Sequence, residues 1–185
     1  FAQERLWFIE QYEQGTHAYH VPAIFELVHP DAIPGIGYAL QQIVSRHEIL
    51  RTTLHQNEDA QAVQVIHDLP LSIEKVQLSR HDDYAALIKA DINQPFDLTR
   101  NYPIRVKFYL IDSGRTIVLV NLHHIAGDGW SIEIMQRELL LYYNAYCKND
   151  QAFSLPPLEI QYKHFALWQL SYLSGEALEN QLTYW

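Results

Sequence analysis

Residues 104–147 limit the possible folds more than any other stretch of the chain. Ile104, Val106, Phe108 and Leu110 alternate with Arg105, Lys107 and Tyr109, the two-residue period of a half-buried strand. Asp112-Ser113-Gly114-Arg115 supplies a turn. Ile117-Val118-Leu119-Val120 then offers apolar side chains to both faces, as a central strand must. After a loop with two glycines, Ser131 to Cys147 carries the period of a long helix. A strand apolar on both faces needs cover on both, so the chain must build layers around a sheet.

The flanking segments supply them. Residues 1–14 read as a helix with Leu6, Ile9 and Tyr12 on one side, and Val21 to Val28 as a strand. Asp31 is placed to cap a helix running to Arg46, with Pro34 and Gly35 in its first turn and Ile36, Leu40, Ile43 and Val44 on one face. Strands are expected at Leu50–His55, Ala62–His67 and Leu71–Val76, and a helix at Asp82–Ile92. Leu155-Pro156-Pro157 is a connection, followed by helix to the end. Strands and helices in this order predict an α/β layered sandwich of a mixed sheet with helices. Leu178, Leu182 and Trp185 keep helical spacing, and the chain opens without an initiator methionine or a leader pattern, so we expect a piece of a longer polypeptide.

Composition narrows the function. In 185 residues, 22 acidic side chains against 13 lysines and arginines leave a formal net charge of -9, which disfavours nucleic acid or an anionic membrane as partner. No apolar run approaches the roughly 20 residues of a membrane span. The single cysteine, Cys147, excludes an internal disulfide framework and a multi-cysteine metal site, and fits a cytoplasmic setting.

The chemistry concentrates in Asn121-Leu122-His123-His124-Ile125-Ala126-Gly127-Asp128-Gly129-Trp130-Ser131, where the buried strand ends and a helix begins. Strand ends of this kind are preferred ligand sites. Neighbouring histidines on an extended backbone point to opposite faces, so one faces a cleft and the other is locked into the layer behind. An imidazole of pKa about 6.5 can take a proton near neutrality. Gly127 and Gly129 allow unusual backbone angles and close approach. Asp128 can pair with an arginine, and the helix start offers free N–H groups to a developing oxyanion. Joint metal coordination by His123, His124 and Asp128 is disfavoured by their opposed directions. Structural histidines at a strand end remain the alternative.

His123-His124-Ile125-Ala126-Gly127-Asp128-Gly129 fits the HHxxxDG signature of the chloramphenicol-acetyltransferase-like superfamily. Arg46-His47-Glu48-Ile49-Leu50-Arg51-Thr52 resembles the RHExLRT segment of nonribosomal peptide synthetase condensation domains. Ala2 to Trp7 resembles their AQxRLW opening, and Tyr162 to Trp168 their YxDFAxW segment. Pro95-Phe96-Asp97-Leu98 also recurs there. His164 stands where the family has Asp, Leu54 where Phe is usual, and the family's later motifs have no counterpart before Trp185. The resemblance implies the amino-terminal lobe, residues 1–185, of a two-lobed V-shaped domain whose carboxy-terminal lobe is absent.

It implies peptide-bond formation between a donor thioester and an acceptor aminoacyl thioester. Both ride on phosphopantetheine of partner carrier proteins, with adenylation domains in the same synthetase and no cofactor bound by this lobe. His124 takes the cleft-facing role, as general base or as positioning group. Gly129 is a candidate N–H donor to the tetrahedral intermediate. His123 anchors the loop, Asp128 is a strut partnered by Arg46 or Arg51, and Trp130 and Ser131 fix the start of the helix. Trp7, Trp168 and Trp185 are expected in core or lobe packing, and His47 as a satisfied core histidine. The Gly-Asp-Gly-Trp-Ser context favours domains that join two L-residues. Alternatives are a coenzyme A-dependent acyltransferase, an epimerization domain, or a noncatalytic carrier-docking domain.

Overall fold

The computed structural model describes residues 1–185 except 13–15, 60, 176, 177, 180–182, 184 and 185. The helix positions expected at 13 and 14, and the packing expected of Leu182 and Trp185, lie outside the described residues. The elements are α1 (Ala2–Tyr12), β1 (His20–Leu27), α2 (Ala32–Arg46), a 3-10 turn (Glu48–Arg51), β2 (Thr52–Gln56), β3 (Ala62–Ile66), β4 (Ile73–Leu78), α3 (Tyr84–Asn93), β5 (Ile104–Ile111), β6 (Thr116–His123), α4 (Gly129–Cys147) and α5 (Tyr162–Tyr172).

Four strands form a mixed sheet in the order β1-β6-β5-β4, while β2 and β3 make a separate hairpin. β6 is antiparallel to both β1 and β5, and β5 is parallel to β4. All eight residues of β6 are buried, as its two-faced apolar run requires. Val118, Val120 and Leu122 join Val106 and Phe108 beneath Ile36, Leu40, Ile43 and Val44 of α2 and Tyr142 of α4. Ile117 and Leu119 face the other way, with Tyr109, Ile111 and Ile88 of α3. α2 and α4 approach closely at Gly35: a Cβ there would fall 2.8 Å from the Tyr143 ring and 2.9 Å from that of Tyr146.

Three local expectations are corrected. β5 keeps the expected alternation through Phe108, but Tyr109 is buried and Leu110 only partly so, because α3 packs against the second face of the strand. Asp91 accepts from Lys107 Nζ at 2.7 Å and from the Tyr109 hydroxyl at 2.6 Å, while the Arg105 guanidinium lies over the Phe96 ring and donates to the carbonyls of Asp91, Gln94 and Pro95. Burial and the Asp91 carboxylate both hold the Tyr109 phenol well above its ordinary pKa. Asp31 precedes α2 but makes no side-chain capping bond. The segment opening at Leu50 begins instead as the 3-10 turn, and β2 starts at Thr52. No helix among the described residues is long and apolar enough to cross a membrane.

Candidate active site

The site begins where β6 runs out. His123 O accepts from Ala126 N at 2.9 Å, making residues 123–126 a hydrogen-bonded turn with His124 at its second position. The strand's alternation separates the two histidines as expected. His123 is fully buried; His124 is exposed. His124 is held by its backbone, N–H to Tyr19 O at 2.8 Å, and its ring makes no hydrogen bond to the described residues.

Behind the turn, His123 is locked at both nitrogens. Nδ1 accepts from Ile125 N–H at 3.1 Å, so the ring proton sits on Nε2 and is donated to Glu10 Oε1 at 3.0 Å. Burial, and secondarily the proximity of His124, push the His123 pKa down to about 4, so the Glu10–His123 contact is a hydrogen bond to a neutral imidazole. His20, paired with His123 across the strands, and Phe96 wall the ring in at 6.1 and 5.7 Å between centroids.

The far side of the loop is fixed by Asp128, the residue preceding α4. Its Oδ1 accepts from Ser131 N at 2.9 Å and from Ser131 Oγ at 2.8 Å. These bonds hold its carboxyl below the usual range, with a smaller contribution from His124. The arginine partner expected for Asp128 is therefore corrected: a carboxylate spent on its own helix start needs no distant cation. Arg46 instead pairs with Glu138 Oε1 at 3.0 Å and donates to Pro156 O, and Arg51 pairs with Asp68 at 2.8 Å. Ser131 does fix the start of α4. Trp130 does not, being 75% exposed.

The glycines also differ from expectation, since neither has a positive φ. Gly127 is required for space: a Cβ would lie 2.7 Å from Leu122 Cδ2 and 3.1 Å from Ser131 Cβ. Gly129 faces open room, with nothing within 4 Å of its would-be Cβ. The N–H groups of Gly129 and Trp130, in the first turn of α4, have no partner within that helix.

The remaining motif segments support this corner from below. Gln3 Nε2 donates to Ile125 O at 2.9 Å, and its Oε1 accepts from Gln64. Trp7, Leu54, Phe96, Leu98 and Ile125 share one apolar cluster, so segments far apart in the chain meet directly behind the turn. His47 is satisfied by Glu138 Oε2 at 2.7 Å. Gln161 caps α5 and reaches Arg46 O and Glu48 N, and Lys163 pairs with Glu48 at 2.7 Å. Trp168 is 54% exposed, stacked on Tyr172 rather than in the core. Sequence reasoning missed Gln3, Glu10, Glu138 and Gln161. Glu10 and Glu138 carried one usable signal, an acidic residue within the span of a helix that also packs inward.

The chain's large apolar groove, about 940 Å³ between β1, α2 and α4, does not include His124. Among the described residues no group of three or more His, Cys, Asp or Glu side chains is placed to hold a metal ion.

Comparison with known proteins accounts for the convergence of these segments. The family model described as Condensation domain matches residues 1–185. The chain is 38% identical over its full length to part of a linear gramicidin synthase of Brevibacillus parabrevis, and 36% to part of the bassianolide nonribosomal cyclodepsipeptide synthetase of Beauveria bassiana. It spans only 2% and 6% of those two proteins. Among solved structures it resembles the X-domain in the complex of the X-domain and OxyB from teicoplanin biosynthesis, with TM-score 0.87 and 28% identity over all of this chain and 41% of that one. It also resembles the first condensation domain of the calcium-dependent antibiotic synthetase, TM-score 0.76 at 18% identity, covering 46% of that chain. The fold is the chloramphenicol-acetyltransferase-like sandwich, and the chain belongs to the condensation-domain family of nonribosomal peptide synthetases.

Proposed function

We propose that residues 1–185 are the amino-terminal lobe of a condensation domain that forms amide bonds between carrier-bound thioesters. The carrying observation is the separation of the paired histidines: His123 is sealed and neutral behind the turn, while His124 stands exposed at its tip. The acceptor's amine nitrogen attacks the donor's thioester carbonyl, the C–N bond forms, and the C–S bond breaks. The amine proton passes by way of His124 to the departing thiol of the donor's phosphopantetheine. General-base help of this kind contributes roughly 10²–10⁴-fold, and holding both reactants near His124 adds to it. The Gly129 N–H, without a partner inside α4, is the donor assigned to the tetrahedral intermediate.

Several observations support a wider assembly. Solved relatives are more than twice as long as the matched region, and curated relatives are synthetases many times longer. Donor and acceptor carrier proteins, adenylation domains and a second lobe are the partners this reading requires. With His124 outside the large groove, the isolated chain should be feebly active or inactive. In the complete domain, His124→Ala should cut product formation from loaded carrier proteins at least a hundredfold, and His164→Ala should leave it nearly unchanged. Equal losses from both would sink the assignment.

A second reading, a noncatalytic protein-recruiting domain, draws on the match to the X-domain, whose structure was solved with OxyB. A complete domain that binds a partner protein but never joins loaded carrier substrates would favour it.

A further inference from the structure

We propose that Glu10 is a positioning residue for His124, acting by fixing the ring tautomer of the buried His123. This deepens the catalytic reading above and rests on it for its kinetic consequence.

The geometry leaves His123 one arrangement of its ring proton. Ile125 N–H points at Nδ1, so a proton on that nitrogen would set two donors against each other across 3.1 Å. Glu10 Oε1 supplies the other half of the selection by receiving the proton on Nε2 at 3.0 Å. Both partners are shielded from water, with side-chain exposures of 0% for His123 and 6% for Glu10, so solvent cannot substitute for the carboxylate. The neighbouring walls, His20 and Phe96, meet the ring edge-on. The hydrogen bonds that select the tautomer are therefore those of Glu10 on one side and the turn on the other, the His20 ring bonding instead to Ile92 O.

The consequence reaches His124 through the backbone. His124 is flanked by His123 and Ile125, and the bond from Ile125 N to the His123 ring closes the same turn that Ala126 N closes on His123 O. Were the tautomer released, the ring would stop accepting from Ile125 and the turn would lose one of its two closures. His124, still tied through its N–H to Tyr19 O and beside the Gln3 bond to Ile125 O, would then be presented over a wider range of directions. A reacting group misplaced by about 1 Å can cost roughly 10²-fold.

The test has a spectroscopic arm and a kinetic arm. In the 185-residue chain labelled with ¹⁵N-histidine, His123 should show a protonated Nε2 and an unprotonated Nδ1 at neutral pH. Glu10→Ala should give mixed tautomers and faster hydrogen exchange at Ile125 N–H. In the complete condensation domain, Glu10→Ala should lower kcat at least tenfold with KM little changed. Glu10→Gln, which keeps an oxygen for the same bond, should restore most of the rate. An Nδ1-protonated or mixed wild-type ring would overturn the proposal without any variant having to fold. So would equal rate losses in the Ala and Gln variants, or an unchanged tautomer in Glu10→Ala. If instead His124→Ala retains full activity, it is the catalytic reading that fails, and the ring signals still decide whether Glu10 sets the tautomer.

Discussion

Asp128 and Ser131 close the amino end of α4 on each other: one carboxylate oxygen takes both the backbone N–H and the hydroxyl of the serine, at 2.9 and 2.8 Å. The acidic residue of the signature segment is thus spent locally, keeping the corner after His124 rigid without a distant cation.

Removing that cap should cost stability in a graded way. Asp128→Ala should destabilise the chain by about 1 kcal/mol, the usual value of a helix cap, and lower the melting temperature by roughly 2–4 °C. Asp128→Asn, which still accepts from Ser131, should stay close to wild type. The Asp128 carboxyl is held below its ordinary pKa. Its contribution is therefore complete above the unfolded value near 3.9 and fades as pH falls through the lower folded value. Thermal melts of both variants from pH 7 to pH 3 check this.

His123 predicts a second acid sensitivity in a different window. Its folded pKa, about 4, lies below the unfolded value of about 6.5. Between those limits the unfolded chain binds the extra proton, so stability should fall as pH drops from 6.5 to 4 and be complete above 6.5. The span corresponds to at most about 3 kcal/mol. Denaturant midpoints across that range should slope for wild type and slope less for His123→Asn, in which the half-buried His20, also held below its ordinary pKa, keeps its own share; the variant's stability at pH 7 is lower.

The two glycines of the loop should part company. Gly127→Ala forces a methyl to within 2.7 Å of Leu122 and 3.1 Å of Ser131, and should cost about 1–3 kcal/mol. Gly129→Ala meets nothing within 4 Å and should leave stability within about 0.5 kcal/mol of wild type. Paired denaturant titrations would settle it; equal losses would contradict the packing described.

Glu138 holds α4 to the end of α2 and should be costly to delete. It is 5% exposed and takes Arg46 on one oxygen and His47 on the other. Glu138→Ala leaves the half-buried Arg46 only the Pro156 carbonyl and should destabilise by about 3–5 kcal/mol. Equilibrium unfolding would show it, with Glu138→Gln losing less.

Local pattern alone was enough for the layered α/β class and for the opposed histidines. The two-residue period of Ile104–Leu110, the apolar run at 117–120 and the helical spacing after Ser131 each follow from which faces a segment must bury. The partners could not be read in the same way. Glu10 and His123 are 113 positions apart, Arg46 and Glu138 are 92, and Gln3 and Ile125 are 122. Periodicity reports how a segment meets an apolar layer and carries no information on which polar atom across that layer completes a bond. Only the packing of α1 and α4 onto the sheet decided that Glu10 would meet His123 and that Arg46 would turn to Glu138, leaving Asp128 to its own helix.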